Sequence, residues 1–306
     1  MALDDTRPSL IHKLVRLYTF NSPIKRGRHR LSNLAFQLSP TLPGELVVKT
    51  IDDRELFLDS KNDSYKYVYF LGEYESVISN IFRRLINAGD ICLDIGANIG
   101  WYTTLFQKLV GSSGKVHAFE PVPHLFKDLE RNVKLNAPPD NVKLNNFALG
   151  NEEKNVNMHV FTDLPDGHSS ISAFASSIFE TFTTRMKTLD SYISDHKINH
   201  VGVVKVDVEG AELLVLQGAS KIFEQERPPI LEIEMALATS KGFGYIPNDL
   251  IEFIRSKAEY DFYAIDETQF TLQKIDGFEP DDIGANVLCL PKDFDKRNVS
   301  DLFVSY

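Results

Sequence analysis

An α/β fold built on a mostly parallel sheet is predicted for this chain by three observations. From residue 89 onward, short and nearly all-apolar runs alternate with helical patterns. A glycine-containing turn, Gly96 to Gly100, directly follows the first of those runs. Beyond about residue 257 the alternation stops, and two further strand-like runs are joined by a segment without helical period. Strands buried on both faces read as continuous apolar runs, and crossover helices supply that cover.

The elements follow in order. Leu10, Leu14 and Leu17 recur at helical spacing with Lys13 and Arg16 between them. A membrane-surface helix has this pattern. So does a helix packed on the domain, and packing is the expectation. Glu45–Thr50 and Arg54–Asp59 read as a hairpin around Asp52-Asp53. Residues 73–87 read as a helix with Val77, Ile81, Phe82, Leu85 and Ile86 inward. Strands are expected at Ile91–Ile95, Lys115–Phe119, Val142–Asn146, Val201–Val206 and Pro229–Glu234. Helices are expected around Leu125, Leu129 and Val133, ending at Asn136, then from Ala211 to about Glu224, and over Asn248–Lys257. The runs Asp261–Asp266 and Asn286–Leu290 form an antiparallel edge pair in this reading. Segment 161–187, rich in Ser and Thr, is expected to be a long functional loop. Two regions result, an extension or cap over 1–85 and the α/β domain over 86–306.

Composition narrows the function classes. With 43% hydrophobic and 25% charged residues in 306, the chain is globular. No apolar run reaches membrane-spanning length. The N-terminal run Leu10 to Phe20 is broken by charges, so no cleavable leader is expected. A net charge of −10 argues against nucleic-acid binding. The charge is uneven: residues 1–31 carry seven Lys and Arg against two Asp, leaving −15 on the rest. Peripheral membrane contact is therefore open to the N-terminus. Cys92 and Cys289 lie in apolar runs and read as buried thiols, which suits a reducing compartment such as the cytoplasm.

The chemistry begins at Asp94-Ile95-Gly96-Ala97-Asn98-Ile99-Gly100, between a strand and a helix. Small residues there let backbone approach a ligand at the carboxyl end of the sheet. A dinucleotide loop needs glycine where Asn98 and Trp101 stand, so nicotinamide chemistry is disfavoured. Glu120, before Pro121, ends the second strand, where a carboxylate can accept both hydroxyls of a ribose. Together the two features predict a nucleoside pocket without pyrophosphate.

These strings are similar to those of the FkbM-type S-adenosylmethionine-dependent methyltransferases. The resemblance runs from Gly72-Glu73-Tyr74-Glu75 through the glycine loop, Phe119-Glu120-Pro121, Ala148-Leu149-Gly150 and Thr188-Leu189-Asp190. It closes on Val204-Lys205-Val206-Asp207-Val208-Glu209-Gly210-Ala211-Glu212 and extends to about Met235. It implies a class I (Rossmann-like) methyltransferase fold: a mostly parallel seven-stranded sheet with a terminal antiparallel hairpin. It also implies S-adenosylmethionine as donor and a hydroxyl acceptor on a sugar, glycan or polyketide-like molecule.

On that resemblance, Gly96, Asn98 and Gly100 floor the methionine portion, Asp94 meets the donor's ammonium, and Glu120 beside Pro121 holds the ribose. Asn146, Phe147 and Ala148 flank the adenine, and Tyr74, Trp101 or Tyr102 faces the sulfonium. Asp207 and Glu209, two residues apart, are expected to line the cleft as donor-side and catalytic carboxylates, with Lys205 neutralising them. Glu232 and Glu234 extend the acidic wall. His168, beside Gly167, Ser169 and Ser170, is a second candidate base. No metal site is expected, although Asp207, Glu209 and Glu234 are oxygen donors. Methylation of nitrogen or carboxylate on a metabolite or lipid headgroup is the alternative reaction, and a non-catalytic nucleoside-binding scaffold the alternative role.

Overall fold

The structure, a computed structural model, describes residues 8–21, 28–38, 44–59, 65–136, 139–161, 169–170, 179–279 and 282–303. Helices α1 (Leu10–Asn21) and α2 (Arg28–Leu38) precede an antiparallel hairpin, β1 (Glu45–Lys49) and β2 (Glu55–Asp59). The hairpin lies where the sequence predicts it, with Asp53 left-handed at the turn (φ 64°). Helix α3 (Tyr65–Leu71) was not anticipated, because seven residues that are apolar or aromatic apart from Lys66 show no period to read. Helix α4 (Ser76–Leu85) is shorter than the 73–87 expected. Gly72 (φ 67°) and Glu75 (φ 42°) both turn left-handed and stop it from starting earlier. Its predicted apolar residues are all buried.

The alternation follows as β3 (Ile91–Ile95), α5 (Trp101–Val110), β4 (Lys115–Phe119), α6 (Pro123–Leu135) and β5 (Val142–Asn145). Next, β6 (Ala148–Leu149), β7 (Lys154–Phe161), β8 (Ser169–Ser170) and β9 (Phe179–Lys187) form a second sheet of order β6-β9-β7-β8. Much of the expected 161–187 loop is therefore strand. In β9, Thr181, Thr183 and Arg185 are exposed while Phe182 and Met186 turn inward. That is a period-two pattern which the Thr-rich composition disguises. His168 and Gly167 lie outside the described residues.

The chain continues through α7 (Leu189–Asp195), β10 (Val203–Val206), α8 (Glu212–Gln217), α9 (Ser220–Phe223), β11 (Ile230–Ala236) and α10 (Leu237–Ser240). It closes with α11 (Pro247–Lys257), β12 (Tyr260–Asp266), β13 (Thr271–Ile275) and β14 (Gly284–Pro291). The single helix expected over 211–224 breaks into α8 and α9 at Gly218. A Cβ there would lie 2.0 Å from the Gly150 carbonyl oxygen, so this approach requires glycine.

The main sheet has the order β13-β12-β14-β11-β10-β3-β4-β5. Strands β11, β10, β3, β4 and β5 run parallel, and β14 and β12 add the antiparallel pair at the edge. β13 extends that edge by one strand, folding back on β12 from the connecting segment. Strand order reverses between β3 and β10, so the crevice beyond their carboxyl ends is the position where such sheets bind ligands.

One face of the sheet buries Cys92, Val203, Ile230 and Leu288 with α4, α5 and the N-terminal elements, in one apolar cluster reaching from Ala35 to Leu302. The opposite face buries Leu93, Val204, Ile233 and Cys289 against the later helices. Both cysteines are buried free thiols. Arg54 ties the hairpin to the domain: its guanidinium donates to the Trp101 carbonyl and the Thr104 hydroxyl, each at 2.7 Å, and to Asp52 at 3.0 Å. Burial is the largest single effect on Asp52 and opposes its ionisation, but Arg54, Thr50 and Arg83 together outweigh it and hold the carboxyl at about 2.

Candidate active site

The glycine loop is built by backbone constraints. Gly96 and Ala97 both donate their N–H to the Phe119 carbonyl, at 3.0 and 2.9 Å, which lashes the loop to the end of β4. At Gly96 (φ 85°) a Cβ would stand 1.7 Å from the Asp207 carbonyl oxygen, so only glycine lets β3 and β10 exit side by side. Asn98 (φ 50°) and Gly100 (φ 90°) complete the turn, and Gly100 caps α5.

Glu120 lies under this loop, 4% exposed. Its Oε2 accepts the Asn98 N–H and its Oε1 the Val122 N–H, both at 2.8 Å. Burial pushes its carboxyl up to about 7 against those two bonds. Asn146 donates from Nδ2 to the carbonyls of Glu120 (2.8 Å) and Pro121 (3.2 Å), and Phe147 meets Phe119 edge-on at 5.7 Å. Ala148 departs from expectation. It begins β6 and packs with Val156, Met158 and Met186 in the core of the small sheet, because strand pairing turns it inward. Asp94 is 1% exposed and accepts the Thr103 hydroxyl, bracing the first turn of α5; burial pushes it up to about 6.

Beyond the loop lies an acidic cluster. The strand register sets Lys205 between Asp94 and Glu232. Its Nζ, on a side chain 2% exposed, donates to Asp207 at 2.8 Å, stands 3.5 Å from Glu232 and lies 4.8 Å from the centre of the Tyr102 ring. Asp207 is half-buried, its side chain 34% exposed. Glu75 joins from the N-terminal side, accepting the Tyr102 hydroxyl at 2.5 Å, while Tyr74 packs edge-on to Trp101 at 6.4 Å. Sequence reasoning placed Tyr74 here and passed over Glu75. Its presence in the Gly72–Glu75 string was the only signal.

Asp207 and Glu209 were paired by strand alternation, and that reasoning fails. β10 ends at Val206, and Glu209 (φ 53°) and Gly210 (φ 101°) form a left-handed turn. Buried Glu212 holds the turn, accepting the N–H groups of Val208 and Gly210 at 3.1 Å and the Tyr245 hydroxyl at 2.9 Å. Glu209 nevertheless lies near enough to Glu234 to act on its charge.

One ammonium cannot neutralise four neighbouring carboxyls. Burial disfavours the charge on Lys205, but Asp207, Glu232 and Glu75 outweigh it and hold the amine protonated. Glu234 is pushed up to about 10, first by the Asp207 carboxylate and then by burial, and its Oε2 makes no hydrogen bond among the described residues. Burial raises Glu232 to about 8. For Glu232 the folded chain holds a proton that the unfolded chain releases near 4.5. Its contribution is therefore fully present below about 4.5 and is lost as pH rises to about 8. Glu232→Gln is expected to flatten that decline by at most ~1.4 kcal/mol per pH unit, read from urea unfolding at several pH values. A slope unchanged by the substitution would show that Glu232 is ionised throughout.

Among the described residues, no group of three or more His, Cys, Asp or Glu side chains is arranged to hold a metal ion. No described helix is long and apolar enough to cross a membrane.

The sheet order, the glycine loop at the switch point and the acid ending β4 define a class I methyltransferase fold. Residues 94–262, more than half of the chain, match the methyltransferase FkbM domain, and the chain belongs to that family. "Methyltransferase 1" of Beauveria bassiana (strain ARSEF 2860) is 28% identical over 174 residues, covering 49% of this chain and 65% of that protein. "Hexuronic acid methyltransferase AglP" of Haloferax volcanii is 28% identical over 144 residues, covering 47% of this chain and 56% of that protein. The chain thus spans less than two thirds of these relatives' length. The FkbM methyltransferase structure from Methylobacillus flagellatus KT aligns over 73% of this chain and 52% of its own, at 16% identity and a TM-score of 0.41.

The methyl donor of the family is S-adenosylmethionine, and the residues present fit it. A buried carboxyl, Glu120, lies under the glycine loop where a ribose diol needs an acceptor. Glu232 Oε1 and Glu234 Oε2, buried and without a hydrogen bond among the described residues, suit a ligand that carries a sulfonium and an ammonium.

Proposed function

We propose that the chain is an O-methyltransferase acting on a hydroxyl of a sugar or glycan, with polyketide-like molecules as the wider acceptor class. The observation that carries this reading is half-exposed Asp207, anchored by buried Lys205 at the switch point and backed by Glu234. S-adenosylmethionine, when bound, supplies a methyl group already activated by its sulfonium.

The chain's own residues have two tasks. The first is to hold the donor: Gly96, Asn98 and Gly100 line its methionine portion, and Glu120, beside Pro121, accepts the ribose hydroxyls. Asn146 and Phe147 border the adenine, Tyr74 borders the sulfonium, and Asp94 acts through the loop it braces. The second is to orient the acceptor and take its proton. Asp207 receives the hydroxyl proton as the new C–O bond forms. Lys205 fixes the carboxylate's direction. The N-terminal cap excludes water from the site.

The name of the Haloferax volcanii relative supports a sugar acceptor. A hexuronic acid carries both hydroxyls and a carboxylate, so carboxyl methylation is a second reading. The Asp207 side chain weighs against it, because its carboxylate repels an anionic acceptor and the Lys205 ammonium that would offset it is already paired with Asp207. Product analysis decides between them. Incubation with hexoses and hexuronic acids is expected to give a methyl ether that survives mild base. A base-labile methyl ester would establish the second reading, and donor binding without any product would point to the scaffold role.

A further inference from the structure

The polarity of α1 is inverted relative to the domain beneath it. Towards α3 the helix turns His12 and Thr19: the His12 ring stands edge-on to Phe70 at 5.6 Å, and the Thr19 hydroxyl donates to the Phe70 carbonyl. Arg16 also points back, donating to the Lys49 carbonyl at 2.8 Å and lying over the rings of Phe20 and Tyr69. The apolar side chains face outward. Leu10 is 72% exposed, Leu17 63%, Leu14 57%, Tyr18 51% and Ile11 43%. At ~100° per residue they fill an arc of about 120°. The expectation that these leucines pack on the domain is overturned: periodicity reveals a stripe but not which way it faces. On α2, Arg30, Leu34 and Leu38 are exposed at successive four-residue steps.

We propose that α1 docks on an anionic phospholipid bilayer through this stripe. Three features select that occupant. The outward arc has the width of an interfacial helix rather than of a narrow coiled-coil seam. Exposed Lys13 flanks the leucines of α1, and exposed Arg30 stands one turn before Leu34. Residues 1–31 carry seven cationic side chains against two acids, whereas the remainder carries −15. An anionic surface attracts the first segment and repels the second, so the chain meets the bilayer in one orientation. A second copy fits less well. A two-fold contact through the stripe sets each Lys13 and its neighbouring cations against their own kind.

The test is flotation of the full chain with vesicles of phosphatidylcholine alone or mixed with phosphatidylglycerol, at low and high salt. The chain is expected to float with the mixed vesicles and to be released by salt. Leu10→Glu combined with Leu14→Glu is expected to lower the partition coefficient about 100-fold, and Lys13→Gln about fivefold. All these side chains are exposed, so circular dichroism and S-adenosylmethionine binding should match the parent. The proposal is overturned if the chain stays unbound at low salt, or if the leucine variant floats as well as the parent. Equal flotation with neutral vesicles at high salt overturns it as well. So does a parental dimer, by light scattering, that the leucine substitutions dissociate, since that assigns the stripe to a second copy.

Discussion

Asp207→Asn is expected to lower kcat by about 100-fold to 10,000-fold, the range in which a positioned general base contributes. The affinity for S-adenosylmethionine should stay within about threefold, because the loop contact made at this position is through the Asp207 backbone carbonyl, which the substitution leaves in place. A second signature follows from the cluster. The Asp207 charge is the main cause of the raised Glu234 pKa, so neutralising it lets Glu234 ionise closer to the ordinary glutamate range. The Glu234 carboxyl should therefore titrate at lower pH in the variant than in the parent, read from its side-chain carbon resonance. If turnover is unchanged while the melting temperature falls, Asp207 serves as a partner of Lys205 and the acceptor's proton leaves by another route.

Glu120→Ala is expected to weaken S-adenosylmethionine binding by about 100-fold, the equivalent of two hydrogen bonds to a charged acceptor. Stability should fall as well, since the Asn98 and Val122 N–H groups lose the acceptor on which both now rely. Glu120→Gln separates the effects. It keeps a carbonyl for one backbone donor while losing the charge, so it should recover much of the stability and little of the affinity. Burial sets the Glu120 carboxyl near 7, and ribose hydroxyls bond best to its ionised form. Donor affinity should accordingly rise from pH 6 towards pH 8 in the parent, an increase governed by that value of about 7. Calorimetry on the three proteins checks all of this. Unaltered affinity in Glu120→Ala would remove the ribose assignment.

What was legible in the sequence was local. The strand ends, the glycine turn and the acid after β4 could be read because each rests on a few adjacent residues whose types are dictated by backbone geometry. Glu120 was found from position alone, before its bonds to Asn98 and Val122 were visible. What escaped depended on contacts distant in the chain or on short segments. Glu75 matters through Tyr102, and nothing near it in sequence announces that meeting. Glycine is needed at 218 because the Gly150 backbone approaches there, a contact far away in the chain. β9 was hidden because Thr alternating with Phe and Met reads as polar loop until the partner strand β7 is known. Alternation misled at Glu209 for the opposite reason: the strand stops at Val206, and a left-handed turn replaces the pleat. Arg54 was invisible as well, since its partners Trp101 and Thr104 belong to the first turn of α5.

The central claim is that the crevice between β3 and β10 is built for S-adenosylmethionine. Its most direct test is calorimetric titration of the purified chain with S-adenosylmethionine and S-adenosylhomocysteine, with NAD as control. Micromolar binding of the first two and none of the third is the predicted result. A folded protein that binds neither sulfur nucleoside, or that binds NAD instead, would contradict it.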